Sequence, residues 1–192
     1  MSCNTIGANV VAALCNEPSI AGTGKKLYIF NYEDRDLANS VESNDIISEI
    51  ALKAGKDGYS FETVENGTSG STTLEVGTYF SVTKQSVALR FMAKSEANKA
   101  YVNDLLGSKV IVVVPNLEEG TDGTVKYEVY GWKSGLTATE LTADTEMADS
   151  VVYTVTMASG ERGVEGTLPK TFYNTDPATT ESSLEALLPA GS

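Results

Sequence analysis

The chain has 192 residues, 41% hydrophobic and 21% charged, so it is long enough for one compact domain and too apolar to be disordered throughout. Its 14 basic and 26 acidic residues give a net charge of −12, which disfavours tight binding to nucleic acid or to an anionic membrane. It contains no histidine, and without that base Ser-His and Cys-His nucleophilic catalysis is excluded.

Residues 1–25 are expected to form an N-terminal arm. Its apolar run IGANVVAALC resembles the core of a secretory signal, but no basic residue precedes Lys25. Cys3 and Cys15 both lie in this arm, and two cysteines without histidine cannot complete a zinc site. Free thiols are expected, with a disulfide as the alternative. No apolar run reaches the roughly 20 residues that span a bilayer, so the protein is expected to be soluble and used without export.

The segment from Lys26 to position 92 is predicted to contain several strands. Alternating side chains in KLYIFNY predict a first strand that is buried on both faces. A long polar loop follows, with a short extended piece at 46–52. YSFETV then predicts a strand, NGTSGS a turn, and the run from 72 to 92 a returning strand with a kink or bulge at Gly77 and at Lys84-Gln85.

The second half is predicted to begin with a helix near 95–106, capped by Ser95 and stopped by Gly107. The β-branched run at 110–114 predicts a buried strand, which continues through NLEEGTDG into a hairpin partner, KYEVYGW. SGLTATELTADTEMADS is expected to be an irregular connection, VVYTVTMASGE the last long strand, and the residues from Gly166 a polar tail.

These elements predict a mainly β fold. We expect an antiparallel β-sandwich or barrel of two packed sheets, with one flanking α-helix. The sandwich domain would occupy residues 26–166, between an N-terminal arm at 1–25 and a C-terminal arm at 167–192.

Two kinds of apparent motif have simpler explanations. GTGKK at 22–26 lacks the spacing of a phosphate-binding loop, and its glycines precede a strand instead of following one, so it is interpreted as a turn. Acidic residues cluster at two places, Glu33, Asp34 and Asp36, and then Glu118, Glu119 and Asp122. Neither cluster has the spacing of a calcium-binding loop, so both are interpreted as solvated carboxylates, with calcium binding as the alternative.

No local arrangement of residues indicates catalysis. The composition does not exclude catalysis by a Ser-Lys dyad or by a carboxylate pair, but no spacing of residues suggests either arrangement. The chain is therefore predicted not to be an enzyme. No catalytic, cofactor-binding or metal-binding residue is therefore predicted. The single tryptophan, Trp132, ends the predicted hairpin beside Gly131 and is interpreted as a core or subunit-contact aromatic rather than a ligand platform.

Three regions of the chain carry a resemblance to a known family. They are KLYIFNYEDRD near the start, KVIVVVPN with KYEVYGWKSGL in the middle, and VVYTVTMASGERG late in the chain. Together with the order of elements, they resemble the tail tube (major tail) proteins of long-tailed bacteriophages and related virion structural proteins of Bacteroidetes phages. The resemblance spans most of residues 26–166.

The resemblance implies a virion protein that is made in the host bacterial cytoplasm and assembles into homo-oligomeric, hexameric rings or tubes around a DNA channel. Its partners would be further copies and other virion proteins, and DNA would pass without specific binding. No membrane and no cofactor is implied. The net charge of −12 suits such a channel. Two other functions stay open, a capsid auxiliary or decoration protein and a monomeric β-sandwich binding module.

Some parts of the chain are expected to contact neighbouring subunits. One set is the polar segments 33–57 and 64–73, which flank strong strands. The other is at least one of the two arms, because apolar anchors gain roughly 1.5–3 kcal/mol each when fully buried. These anchors are Val10, Val11, Leu14, Phe172, Leu184, Leu187 and Leu188. Truncation after Gly166 is expected to weaken assembly and leave the sheet folded.

Overall fold

The computed structural model describes residues 22–63, 66–76, 81–91, 95–119, 123–143, 153–160 and 165–189. These residues form a mainly β fold with two α-helices. The strands are β1 (Lys26–Asn31), β2 (Val41–Ser43), β3 (Ile46–Glu49), β4 (Tyr59–Glu62), β5 (Thr68–Val76), β6 (Ser81–Phe91), β7 (Lys109–Pro115), β8 (Tyr127–Tyr130), β9 (Leu136–Ala143), β10 (Tyr153–Ala158) and β11 (Lys170–Phe172). The helices are α1 (Glu96–Gly107) and α2 (Pro177–Glu185), and a short 3-10 helix spans Tyr32–Asp34.

The strands form one mixed sheet that branches at β7. One edge of β7 pairs with β1, which in turn pairs with β4. The other edge is shared between β8 and β9. From there one branch runs through β11 and β3 to β2, and the other runs through β10 and β6 to β5. Only the pairing of β11 with β3 is parallel among the described strands. The sheet does not close into a barrel.

Two hydrophobic clusters lie on opposite faces of β1 and β7, because successive side chains of a strand alternate between its faces. Leu27 and Ile29 belong to the first cluster, whereas Tyr28 and Phe30 belong to the second. The predicted burial of the first strand on both faces is thus confirmed. Strand β7 is divided in the same way, so these two strands form the centre of the molecule.

The helix predicted near 95–106 is observed as α1. The Ser95 side chain caps it by accepting a hydrogen bond from the backbone N–H of Asn98, at 3.1 Å. Its buried side chains Val102 and Leu105 pack in the first cluster. The helix therefore covers the first cluster.

The second cluster is covered by the segment that was expected to be a C-terminal arm. Phe172, Leu184 and Leu188 are buried there against the central strands of the same chain. Asp176 caps the N-terminus of helix α2, and its carboxylate accepts a hydrogen bond from the Thr179 N–H at 2.9 Å. These C-terminal anchors are used within the chain, so the expected contact of at least one arm with another subunit could now involve only the N-terminal anchors Val10, Val11 and Leu14, which stay untested because they lie outside the described residues. Residues 1–21 of the predicted N-terminal arm, with Cys3 and Cys15, lie outside the described residues.

Three further expectations about local structure were wrong. The run from 72 to 92 is not one kinked strand, because β5 and β6 pair antiparallel down to Val76 opposite Ser81. The segment after Trp132 is not wholly irregular, because it contains β9. The segment 64–73 is not a turn, since β5 begins at Thr68 and pairs with β6. The reversal of the chain could not be located from the sequence, because the alternation of apolar and polar residues does not indicate the direction of a strand.

An ion pair joins α2 to β1. The Lys26 ammonium lies 2.8 Å from Glu185 Oε1, and the Tyr28 hydroxyl donates to the same oxygen at 2.6 Å. The hydrogen bond from Lys26, followed by that from Tyr28, holds the pKa of the Glu185 carboxyl below its usual range. Burial and the hydrogen bond to Glu185 raise the pKa of the Tyr28 hydroxyl well above its usual range.

We expect Glu185→Gln to be less stable than the wild type at neutral pH. Since the folded pKa of Glu185 is depressed, the stability it contributes is fully present above the unfolded pKa of about 4.3 and is lost as the pH falls through the folded value. Urea unfolding of both proteins from about pH 7 to about pH 3 measures this difference. Glu49→Gln, at an exposed position, is the control. A difference that does not change with pH would contradict the assignment.

Candidate functional site

A two-stranded extension projects from the end of the β5–β6 hairpin. Strand β10 flanks β6 only as far as Ser86, which is opposite Ala158. Beyond that point residues 73–76 and 81–84 pair with each other, and no third described strand joins them. We call this extension the ribbon. A free two-stranded ribbon is marginally stable in water, so a partner surface would stabilise it.

The ribbon presents apolar side chains to solvent. Leu74 is 65% exposed and Val76 is 78% exposed, and both point to the same face because they are two residues apart. The opposite face carries Glu75, whose carboxylate pairs with Lys84 at 2.9 Å. Such an ion pair is worth little on an exposed surface, so it holds the ribbon only weakly. An apolar face on a projecting hairpin is typical of a contact surface.

A cavity of about 460 Å³ lies beside Trp132. Its walls include the segment that follows β1, strand β2, the turn between β8 and β9, and residues 165–170. The Arg35 guanidinium lies between two rings in this wall, 4.6 Å from the Tyr32 centroid and 4.8 Å from the Trp132 centroid. One of its nitrogens donates to the backbone carbonyl of Trp132, and the Trp132 indole N–H donates to Glu42. We call this the Arg35 cavity.

The turn between β8 and β9 forms the floor of the cavity. Gly131 and Gly135 have φ values of 74° and 71°, and a Cβ at Gly135 would lie 2.7 Å from Lys109. Glycine is therefore required at both ends of the turn. The buried Glu165 carboxylate accepts hydrogen bonds from the backbone N–H groups of Lys133 and Ser134, at 3.0 and 2.8 Å. These bonds give two N–H groups of the turn a hydrogen-bond acceptor, and they place Trp132 beside Arg35.

The cavity gathers cations that lack an acidic partner. Arg35, Lys133 and Lys170 line it, and none of them forms an ion pair within 4.0 Å among the described residues. Lys170 donates to the backbone carbonyl of Asn44. The two carboxylates in the cavity wall, Glu42 and Glu165, are hydrogen-bonded to the indole and to the turn. The arrangement can bind an anionic group.

Asp34 and Asp36 of the first acidic cluster have partners within the chain, and in the second cluster Glu119 pairs with Lys126 at 3.2 Å, whereas Asp122 lies outside the described residues. Asp34 pairs with Lys56 at 3.2 Å, and although partial burial opposes it, hydrogen bonds from Asn31 and Lys56 lower its pKa. Asp36 accepts from Asn39 at 2.7 Å, and this bond lowers the pKa of its carboxyl. Among the described residues no group of three or more His, Cys, Asp or Glu side chains lies close enough to hold a metal ion.

The structure places Trp132 in the second cluster and in the wall of the cavity, so the expectation of a core aromatic is confirmed. The cavity itself was not predicted. Arg35 lies within the acidic segment 33–36, which was interpreted for its carboxylates alone. Trp132 lies 97 residues from Arg35 along the chain, and Glu165 lies farther still, so no local spacing could have revealed their contact with it.

The chain matches no protein family, no curated protein and no solved structure. No helix within the described ranges is both long enough and apolar enough to cross a membrane. The fold and the two surfaces described above therefore carry the functional argument.

Proposed function

We propose that the chain is a self-assembling structural protein of a virion, a tail tube subunit that forms stacked rings around a DNA channel. The observation that carries this proposal is the ribbon, with Leu74 and Val76 exposed on one face. Each side chain gains roughly 1.5–3 kcal/mol when it is fully buried, and a neighbouring copy can supply that burial. The resemblance to tail tube proteins supports the choice of a virion.

The ends of the sheet favour assembly in a closed ring. Strand β5 is at one end of the strand order and β2 is at the other, and each has a free edge among the described strands. A free edge can pair with another chain. Head-to-tail contacts between unlike surfaces give a ring when the rotation closes, which is the geometry of a tube.

The net charge supports a channel through which DNA passes without specific binding. A surface with 26 acidic and 14 basic residues repels phosphate groups. Other virion proteins would contact the ends of the tube, and the subunits would be made in the cytoplasm of the host. Micromolar binding to duplex DNA at physiological salt, with a steep salt dependence, would argue against this role.

We expect a variant carrying both Leu74→Ser and Val76→Ser to assemble at least about tenfold less readily than the wild type, because an apolar contact between copies is lost. Sedimentation velocity over a concentration series gives the assembly midpoint, and negative-stain microscopy shows whether rings or tubes form. The matched control carries Leu106→Ser and Val125→Ser, which are also exposed but lie outside the ribbon.

Two results would count against the proposal. Assembly of the ribbon variant at the wild-type midpoint would show that the ribbon makes no contact between copies. A wild-type chain that stays monomeric at all concentrations would exclude self-assembly. Single closed rings that do not stack would favour a capsid decoration protein, which the ribbon fits equally well.

A monomeric binding module is the second candidate. The Arg35 cavity favours it, because a volume of about 460 Å³ with aromatic walls and a few charged groups is within the range of small-molecule sites. A monomeric wild type whose Trp132 fluorescence changes on addition of a small ligand would support this function over assembly.

A further inference from the structure

We propose that the Arg35 cavity receives a carboxylate side chain from a second copy of this chain, so that Arg35 forms its ion pair across the interface between subunits. This inference rests on the proposed self-assembly and names the second surface that takes part in it.

Arg35 supplies the first reason. Its side chain is only 9% exposed, and a buried cation is costly unless it is paired. The guanidinium has five N–H donors, yet its only hydrogen bond within the described chain goes to the carbonyl of Trp132. The Tyr32 and Trp132 rings, with centroids 4.6 and 4.8 Å from it, restrict its movement. A planar, fixed guanidinium is well suited to bind a carboxylate.

The lysines of the cavity supply the second reason. The Lys133 side chain is exposed and makes no hydrogen bond or ion pair within the described chain, and Lys170 binds only a backbone carbonyl. Elsewhere Lys26, Lys56, Lys84 and Lys126 each pair with a carboxylate, whereas other described cations such as Lys99 do not. Arg35, Lys133 and Lys170 are thus three cations at one cavity that form no ion pair among the described residues. They attract a negative group and offset repulsion between two acidic copies.

The rim of the cavity supplies the third reason and favours a protein occupant. Leu37 and Leu168, which are 59% and 71% exposed, line the cavity beside the buried Trp132. Tryptophan, tyrosine and arginine within an apolar rim are typical of the residues that dominate protein interfaces. A small carboxylate would leave the two leucines in water, whereas a second copy would cover them. Every other copy carries a surface rich in carboxylates.

The test compares two charge reversals of equal size. Lys133→Glu changes the rim of the cavity, and Lys99→Glu changes an exposed position on α1 that forms no ion pair. We expect Lys133→Glu to raise the concentration at the assembly midpoint at least about tenfold, and Lys99→Glu to leave it within about twofold of the wild type. Arg35→Gln and Arg90→Gln form a second matched pair, with the same expected contrast. If Arg35→Gln fails to fold, the comparison of Lys133→Glu with Lys99→Glu still shows whether the cavity lies in the interface.

Two further measurements report on the cavity itself. Trp132 is the only tryptophan, so its fluorescence emission is expected to shift as the wild type assembles. A carbodiimide cross-link is expected between Lys133 and a carboxylate of another copy. Mixing copies labelled with nitrogen-14 and nitrogen-15 before cross-linking distinguishes links between copies from links within one.

The outcomes separate this inference from self-assembly. If the wild type assembles, Lys133→Glu behaves as Lys99→Glu does and the Trp132 emission is unchanged, then the cavity is outside the interface and the inference is overturned, while self-assembly stands. If the wild type never assembles, both proposals fail. Propionate is then added to the monomer, and a shift of the Trp132 emission would assign the cavity to small carboxylates instead of a second copy.

Discussion

Removal of residues 167–192 is expected to abolish cooperative folding. Phe172, Leu184 and Leu188 would be lost from the second cluster, and their burial accounts for roughly 4.5–9 kcal/mol. Net stabilities of domains are about 5–15 kcal/mol, so the loss is comparable to the whole. The truncation also removes β11, which alone joins the β2–β3 pair to the rest of the described sheet. Tyr28 and Phe30 would then face solvent.

Near-UV circular dichroism and urea unfolding measure this result, and a chain truncated after Pro189 is the control. The control keeps every described residue and should unfold at the wild-type midpoint. A chain ending at Gly166 that still unfolds cooperatively near that midpoint would show that the C-terminal segment is dispensable. Its structural role would then be that of an arm, as the sequence suggested.

Glu165→Ala is expected to lower the free energy of unfolding by about 2–5 kcal/mol. Glu165 is buried, and its carboxylate accepts from the N–H groups of Lys133 and Ser134 and from the Ser134 hydroxyl. Alanine removes every one of these acceptors at once. The turn between β8 and β9 would become less ordered, and Trp132 would no longer be held against Arg35.

Urea unfolding gives the loss of stability, and the Trp132 emission gives the local change. Glu62→Ala, at an exposed position on β4, is the matched control and should change the free energy of unfolding by less than about 0.5 kcal/mol. Equal effects of the two substitutions would contradict the role assigned to Glu165.

The parts of the fold that could be predicted have strong local signals. Strand β1 alternates large apolar side chains, β7 is a β-branched run, and α1 has a serine cap and helical spacing. Helix α2 was missed because its body is polar, with Leu184 among its few large apolar side chains. Its start did carry a signal, since Asp176 caps the helix and Pro177 occupies the first turn.

The candidate site could not be predicted for a different reason. Arg35, Trp132 and Glu165 lie far apart along the chain, and only the branching of the sheet at β7 brings them together. The ribbon could not be predicted from its composition, because polar residues alternate with apolar ones through both of its strands. Where the chain turned back depended on tertiary pairing rather than on local preference.

The position of β7 at the branch of the sheet also fixes the order in which the chain can fold during synthesis. Tyr28 of β1 pairs with Val113, about 85 residues later, so at about 5–20 residues per second roughly 4–17 s pass before β1 meets its central neighbour. The face of β1 that carries Tyr28 and Phe30 is not covered by α2 until that helix emerges close to the end of the chain. A nascent chain therefore exposes this apolar face for nearly the whole of translation, and holdase chaperones are expected to bind it there.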